Sequence, residues 1–341
     1  MMTVQSSRTR GFTLVEIMVA LALAGFILLA LSAYFVSSSR SFSETERISR
    51  QIKNGRYASA LLAEEIRHAG FYGEIGNVVN LPPTSAIALP GALPDPCDTA
   101  IANVKAALSL PIQGVDAPDT APTCLPDMLA GTDVIVVRRA QTTPIAVGAA
   151  AANGYYTQVA YCNAADPLFI VAQTGFSLTG KDCATINPIR QLHVYLFYIA
   201  TCSIGTGTGG ACRSSDPQIP TLKRAELVAG GSFTVSPLVE GIENMQIEYG
   251  RDTNGDGYPD TFTAKPASVA QWAQVVSVRL NLLARNTEIT PGFTDSKTYP
   301  LGNDRNGAAV TVTPGGSYRR HNYQELVRVQ NVSQRTEALY P

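Results

Sequence analysis

The longest apolar run of the chain lies near its N-terminus. From Ile17 to Ser39 there is no charged residue, and at about 1.5 Å per helical residue the run is long enough to cross a bilayer core of roughly 30 Å. One carboxylate, Glu16, stands at the start of this run. A carboxylate in a membrane costs about 2.5 to 3.5 kcal/mol on insertion scales and usually marks a functional pairing. Glu16 is therefore expected to have a partner.

After the apolar run the pattern becomes amphipathic but stays helical. Apolar positions recur at a spacing of three and four residues as far as Ala69, and most of the charged residues between them can face water. No proline occurs between the apolar run and Pro82, so the pattern predicts one helix over 12–68, with Gly70 as its left-handed cap.

The rest of the chain alternates between strand signals and turn residues. Strands are predicted where apolar alternation or β-branched residues concentrate, at 133–139, 191–200, 225–229, 243–249, 275–284 and 325–329. The Pro-, Ala- and Gly-rich interval of about 81–130 is predicted to be an irregular insertion with a short helix near 103–108. One long N-terminal helix followed by many strands predicts an α+β fold, in which an antiparallel sheet packs on the helix.

Three interpretations of the N-terminus compete. A secretory signal peptide would be cleaved after the apolar run, near Leu31-Ser32-Ala33, and a plain transmembrane anchor would keep Arg8 and Arg10 on the cytoplasmic side. Neither interpretation explains Glu16. The third takes 10–16, Arg-Gly-Phe-Thr-Leu-Val-Glu, in order. This segment resembles the type III signal of type IV prepilins, in which a short basic leader ends in Gly, Phe follows, and Glu stands five residues into the mature chain.

The resemblance implies a set of processing steps. A membrane-embedded prepilin peptidase would cut between Gly11 and Phe12, which removes the leader 1–11, and the new Phe12 amine would be methylated. The resemblance further implies that Glu16 pairs with the Phe12 amine of a neighbouring subunit as helices stack into a filament. Such an amine has a reference pKa of about 7.7 to 8 and is cationic at neutral pH. Opposite charges that meet only at the correct stagger make Glu16 a register device.

Several later segments resemble one branch of the pilins. The segments IRHAGFYG, GTDVIVVRRA, LVEGIENMQIEYGRDTNGDG, VVSVRLNLLARN and RRHNYQELVRVQNV together resemble the PilW-type minor pilins. This implies a pilin fold, with a hydrophobic transmembrane or filament-core helix (12–39), an amphipathic continuation (40–70) and a β-rich head (71–341).

The PilW resemblance also implies a function and its partners. The chain would be a non-enzymatic minor pilin that helps prime type IV pilus assembly, and it would occupy the pilus tip with other minor pilins and an adhesin above the major pilin. Before assembly it would sit in the inner membrane with a periplasmic head. The alternatives are a J-type minor pseudopilin of a type II secretion system and a tip-located module that binds a ligand or adhesin.

Six cysteines follow the apolar segment. An even number on one side of a membrane indicates an oxidising compartment, and pairing of sequence neighbours is expected, although six cysteines permit 15 pairings and buried free thiols are the alternative. The neighbour pairs are Cys97 with Cys124, Cys162 with Cys183, and Cys202 with Cys212.

The segment 252–260, Asp-Thr-Asn-Gly-Asp-Gly-Tyr-Pro-Asp, admits two interpretations. Its oxygen ligands match the first part of an EF-hand calcium loop, but Thr263 stands where the bidentate Glu belongs. The alternative is a hairpin turn, since Asn-Gly and Asp-Gly are strong turn dipeptides. The calcium interpretation would use Asp252, Asn254, Asp256, the Tyr258 carbonyl and Asp260.

The sequence carries no convincing signal for an enzyme or for nucleic-acid binding. The 341 residues are 45% hydrophobic with a net charge of −1, so no basic surface is indicated. The glycine-rich 205–210 has the letters of a dinucleotide fingerprint but no helical pattern after it, and is expected to be a disulfide-closed loop. The three histidines, His68, His193 and His321, lack metal-ligand spacing. The pairs 138–139 and 319–320, both Arg-Arg, are expected to be solvated charges or subunit contacts. No cofactor other than calcium is expected.

Overall fold

The structure is a computed structural model that describes residues 11–75, 77–117 and 119–337. The leader, with Arg8 and Arg10, lies outside the described residues apart from Gly11. The chain divides into two compact units, Met1–Ser49 and Arg50–Pro341. The boundary falls inside the predicted amphipathic part of the helix.

Helix α1 (Leu14–His68) has 55 residues and continues from the first unit into the second. It begins two residues later than predicted and ends at the predicted residue. Gly70 has a φ of 77°, the left-handed conformation that a residue without Cβ adopts freely, and its N–H donates to the Arg138 carbonyl at 2.9 Å. The glycine thus turns the chain towards the strand that contains Arg138.

The second unit contains three antiparallel sheets. Strand β5 is the centre of the seven-stranded large sheet, since it pairs with β2, β3 and β6; β1 extends the sheet beyond β2, β4 beyond β3 and β7 beyond β6. The four-stranded sheet has the order β13-β10-β8-β9, and β11 pairs with β12. The strands are β1 (Ile112–Val115), β2 (Val134–Ala140), β3 (Tyr156–Val159), β4 (Phe169–Ala172), β5 (Arg190–Ala200), β6 (Thr221–Val228), β7 (Ser232–Glu240), β8 (Ile242–Arg251), β9 (Thr261–Thr263), β10 (Val275–Arg285), β11 (Tyr299–Asn303), β12 (Ala309–Val312) and β13 (Arg320–Arg328). The further helices are α2 (Ile101–Ala107), α3 (Val269–Ala273) and α4 (Gln330–Glu337).

The main core lies between α1 and the two larger sheets. Leu62 and Ile66 of α1 are fully buried in one cluster with Phe197 of the large sheet and with Ile247 and Leu280 of the four-stranded sheet. The predicted α+β architecture, a long helix packed on antiparallel strands, is therefore confirmed.

Strand β2 shows why the large sheet needs a second layer. Its residues Val134 and Val136 point into one core cluster, whereas Ile135 and Val137 belong to the cluster that contains α1. The face away from α1 is covered by Val104 and Leu108, which belong to α2 and its C-cap, together with Tyr72 and Val78. Both faces of β2 are buried, which explains its continuous apolar run.

The interval 81–130 differs from its prediction as an irregular insertion. It contains α2, close to the expected short helix, and also β1, which pairs with β2. Strand β1 has only four residues, one of them Gly114, so its local signal is weak. Val104, Leu108 and Leu125 of this interval help to cover the second face of the large sheet.

Candidate functional site

The carboxylate of Glu16 is hydrogen-bonded by Thr13, the residue just before helix α1. The Thr13 backbone N–H and hydroxyl both donate to Glu16 Oε2 at 2.9 Å, and the Glu16 N–H donates to the Thr13 hydroxyl oxygen at 3.3 Å. This is a capping box, in which residues at the helix start satisfy each other's unpaired N–H groups. The spacing Thr-x-x-Glu before an apolar run is the sequence signal of such a box.

The Gly11–Phe12 bond lies just before this cap. Both residues are exposed and precede the first helical residue, and a Cβ built on Gly11 meets nothing within 4 Å. A bond in non-helical, uncovered backbone can be drawn into an extended conformation by a protease. Phe12 is 84% exposed, and Glu16 lies on the first turn of the helix behind it.

The apolar residues of α1 in the first unit form a continuous exposed surface. Within the described residues, α1 is the helix long and apolar enough to cross a membrane. The exposed large side chains between its start and Phe42 are Leu14, Val15, Ile17, Met18, Val19, Leu21, Leu23, Phe26, Ile27, Leu28, Leu29, Leu31, Tyr34, Phe35, Val36 and Phe42. Apolar surface in water costs about 25 cal/mol per Å², so this surface requires lipid or other protein around it.

The six cysteines form three disulfides in the second unit. The structure joins Cys97 to Cys124, Cys162 to Cys183, and Cys202 to Cys212, and no described cysteine is free. This is the sequence-neighbour pairing. The Cys202–Cys212 bond closes the glycine-rich loop, whose residues Thr208–Gly210 form one short 3₁₀ turn and not the long helix of a dinucleotide site.

The predicted calcium loop connects β8 to β9 in a hairpin. Asp252 is buried, and its two carboxylate oxygens accept N–H bonds from Gly255 at 2.5 Å and Gly257 at 2.7 Å. Asp260 likewise accepts both the N–H and the hydroxyl of Thr253 at 2.7 Å. These bonds fold the loop without an ion.

Three of the predicted ligands lie near one another, since Asn254 Nδ2 donates to Asp256 Oδ2 at 3.1 Å and to Asp260 Oδ1 at 3.4 Å. Over the part of the chain that is described, the trio of potential metal ligands within 4.8 Å of one another is Asp127, Cys202 and Cys212, which includes none of the loop. That trio is itself no metal site, because its two sulfurs are joined and Lys223 is paired with its carboxylate at 2.7 Å.

The arginine pairs differ from their expectation as solvated charges. Arg138 is fully buried and donates to the Leu110 carbonyl and the Gln113 amide oxygen, both at 2.8 Å. Burial lowers the pKa of Arg138 to about 10. Arg320 is buried between Glu243 and Asp295. Neighbouring residues of a strand point to opposite faces, so Arg139 lies on the other face of β2, where it pairs with Glu65 of α1 at 2.7 Å.

The three histidines occupy separate places. His193 lies 3.1 Å from Glu226, His321 packs edge-on against Tyr323, and His68 contacts the Glu64 carbonyl in the last turn of α1. None of them belongs to the group of potential metal ligands within the described residues.

Comparison with known families agrees with this geometry. Residues 6–32 match the prokaryotic N-terminal methylation motif, so the N-terminus is similar to that of prepilins. Residues 197–331 match the family described as type IV pilus-assembly protein W. Both matches agree with the resemblance of the sequence segments to prepilins and to PilW-type minor pilins, and the methylation motif implies processing by a prepilin peptidase.

Comparison with individual proteins adds little. Among solved structures, the fold is similar to a type IV-like pilin from Thermus thermophilus, at 11% identity over 83% of this chain and 97% of that chain, with a TM-score of 0.35. A likeness at that score supports no conclusion about this protein. No curated protein matches the chain.

Proposed function

We propose that this protein is a minor pilin of the PilW family that helps prime assembly of the type IV pilus and occupies its tip with other minor pilins and an adhesin. The observation that carries the proposal is the arrangement at the start of α1. An exposed Gly11–Phe12 bond stands directly before a capped helix whose apolar side chains are uncovered in the first unit. Cleavage there releases an amine at Phe12 and leaves the whole apolar helix on the mature chain.

The membrane holds this helix before assembly. Its apolar length suits one passage through the inner membrane, and the three disulfides suit an oxidising periplasm for the second unit. The major pilin and the other minor pilins are the partners that cover the same apolar surface in the filament.

Glu16 is proposed to pair with the Phe12 amine of a neighbouring subunit and so to set the stagger of the helices. The capping box complicates the obvious test, because Glu16→Ala removes the negative charge and the helix cap together. Glu16→Gln separates the two effects, since glutamine can still accept the Thr13 N–H bond but carries no charge. Thr13→Val provides the complementary change, which loses the hydroxyl and keeps the charge.

The test combines N-terminal mass spectrometry with pilus counts in a strain that lacks the native gene. We expect a methylated Phe12 at the mature N-terminus, normal pilus numbers with Thr13→Val, and a loss of at least about tenfold with both Glu16→Gln and Glu16→Ala, because about 1.4 kcal/mol of lost pairing changes an equilibrium tenfold. Full piliation with Glu16→Gln would contradict the charge pairing. A mature N-terminus near Tyr34 would contradict the prepilin processing.

The same experiment separates the alternative of a J-type minor pseudopilin. That protein would share the processing and the helix, so the distinction rests on the phenotype. A deletion that abolishes protein secretion while pili remain normal would favour the pseudopilin. Normal pili with impaired attachment to a ligand would favour the tip-located binding module.

A further inference from the structure

A lysine and an aspartate are buried together beside the Cys202–Cys212 disulfide. Lys223 Nζ lies 2.7 Å from Asp127 Oδ2, and each side chain is only 2% exposed. Asp127 is fixed on one side of strand β5, where its carbonyl accepts the Thr201 N–H at 3.2 Å. Lys223 comes from the other side, since it is the cross-strand partner of Tyr198 in the β5–β6 ladder.

The two oxygens of Asp127 have different partners. The Tyr198 hydroxyl donates to Oδ1 at 2.8 Å, while the Lys223 ammonium lies against Oδ2. Burial and the neighbouring carboxylate raise the pKa of Tyr198 well above its ordinary value, so the phenol stays protonated as a donor. Cys212 Sγ lies 3.2 Å from Asp127 Oδ2 and 3.8 Å from Lys223 Nζ, so the disulfide covers the pair on a further side.

We propose that Lys223 and Asp127 condense into an isopeptide bond, a covalent cross-link that the folded chain forms by itself. One proton passes from the ammonium to Oδ2, which leaves a neutral amine and a neutral carboxylic acid. The amine nitrogen then attacks Cγ, and Tyr198 holds the negative charge that develops on Oδ1, as a donor does in an oxyanion hole. A second proton moves from nitrogen to Oδ2, the Cγ–Oδ2 bond breaks, and one water molecule leaves.

Burial is what makes this pair suited to the reaction. In water the ionised forms of lysine and aspartate are strongly preferred, and neither can react with the other. Within the interior the two groups lose their hydration and face each other without intervening solvent. The pair is also held in contact by two strands and a neighbouring loop, so no entropy is lost in bringing the groups together.

The chain contains a matched pair without that burial. Lys265 Nζ lies 2.6 Å from Asp119 Oδ2, but these side chains are 39% and 29% exposed. The separation of nitrogen and oxygen is the same within 0.1 Å. The two pairs differ in hydration and in the donor to the other carboxylate oxygen, which is Tyr198 for Asp127 and Arg305 for Asp119. The Lys265–Asp119 pair is expected to stay an ordinary ion pair.

The isopeptide bond would be a fourth covalent cross-link in the second unit, besides the three disulfides. It joins β6 to the segment just before β2 and so encloses β5 between bonded neighbours. Such a bond resists pulling along the chain and, unlike the adjacent disulfide, survives reduction. The inference does not depend on the proposed role in pilus priming.

The test is mass spectrometry of the purified full-length protein after denaturation, reduction and alkylation. We expect an intact mass lower by one water than the mass of the processed sequence, and a branched peptide that joins the residues around 127 to those around 223. Lys223→Met should restore the full mass, whereas Lys265→Met should retain the loss of water. An unmodified mass in the native sequence would overturn the proposal.

The loss of one water can also have a second source, which the experiment must distinguish from the isopeptide bond. Aspartate followed by glycine, as at Asp256-Gly257, can also lose water by forming a cyclic imide. That product is a linear peptide and opens again at alkaline pH, whereas an isopeptide-linked peptide stays branched. A water loss located only at Asp256 would therefore also overturn the proposal.

Discussion

At the scale of single residues, the buried Asp133 side chain bonds two separate segments of the chain. Its two carboxylate oxygens accept N–H bonds from Ala117 at 2.9 Å and Ile247 at 2.7 Å, so one buried side chain ties a loop to strand β8. Burial raises the pKa of Asp133 to about 7, and the nearby Asp116 adds to the rise, while the two N–H donors and Arg305 oppose it. The carboxylate form is thus well bonded but poorly hydrated.

The raised pKa of Asp133 determines whether stability rises or falls with pH. The ordinary pKa is 3.8 and the folded value about 7, so between these limits the folded state binds more protons than the unfolded state. The contribution of Asp133 to stability is therefore fully present below pH 4 and is lost as the pH rises through 7. We expect Asp133→Asn to abolish this slope and to lower the free energy of unfolding by about 1–3 kcal/mol, since an amide offers one acceptor where two are needed.

Denaturant unfolding at a series of pH values between 4 and 8 measures this effect. Asp182→Asn is a suitable control, because Asp182 is exposed and its pKa is lowered, not raised, by bonds to Thr185 and Ala184. An unchanged slope in Asp133→Asn would show that another group causes the pH dependence.

At the scale of elements, the contact between α1 and the four-stranded sheet depends on one glycine. A Cβ built on Gly55 would lie 2.2 Å from the ring of Tyr323, so the ring packs directly on the helix backbone. The glycine lowers helix propensity, yet it allows β13 to approach. This explains why a residue of low helix propensity stands in the part of α1 that packs on the sheet.

We expect Gly55→Ala to destabilise the second unit by about 1–3 kcal/mol, the usual range for overpacking, despite a gain of about 1 kcal/mol in helix propensity. Gly25→Ala is the matched control, because nothing lies within 4 Å of a Cβ there. Thermal unfolding of the single variants and of Gly55→Ala with Tyr323→Ala measures the coupling. If Gly55→Ala costs as much without the Tyr323 ring as with it, the proposed contact is not the cause.

The loop 252–260 remains a proposed calcium site, and the structure identifies the informative variant. Asp252→Ala would unfold the turn even without calcium, because Asp252 bonds two backbone N–H groups of the loop. Asp256 is more exposed and makes only local bonds, to Tyr258 N–H and the Asn254 amide. Asp256→Ala is therefore expected to remove calcium binding and leave the fold intact.

Calorimetric titration of the full chain with calcium measures this prediction, with Asp304→Ala as the control from another exposed turn. Binding by the native sequence that is lost only in Asp256→Ala supports the site. Absence of binding by the native sequence leaves a hairpin turn without an ion.

At the scale of the whole molecule, the three disulfides lie in the second unit. The described residues of the first unit, 11–49, are mostly helix with uncovered apolar side chains. This division matches the two demands on a pilus component, a helix that other subunits or lipid must cover and a head that must hold its own fold. The family match over 197–331 covers the second half of β5 through β13, which includes the four-stranded sheet.

The sequence by itself determined the long helix, six of the strands and the class of the N-terminus. These features depend on neighbours along the chain: a periodicity of three and four residues, apolar alternation, and the ordered signal around Gly11, Phe12 and Glu16. The short strands β1, β3, β4, β9, β11 and β12 were missed because three to five residues carry too little pattern. Strand β7 was missed because its nine residues are mostly exposed or half-buried.

Only the tertiary structure decided which charges are buried. Arg138 lies inside and the disulfide-covered Lys223 meets Asp127, although 96 residues of chain separate that pair. Whether an ionised side chain is solvated or enclosed depends on which strand lies beside it, and that pairing joins distant parts of the chain. The physical reason is that the hydration of a charge and its distance from a partner depend on packing between distant segments. Residue spacing along the chain does not encode that packing.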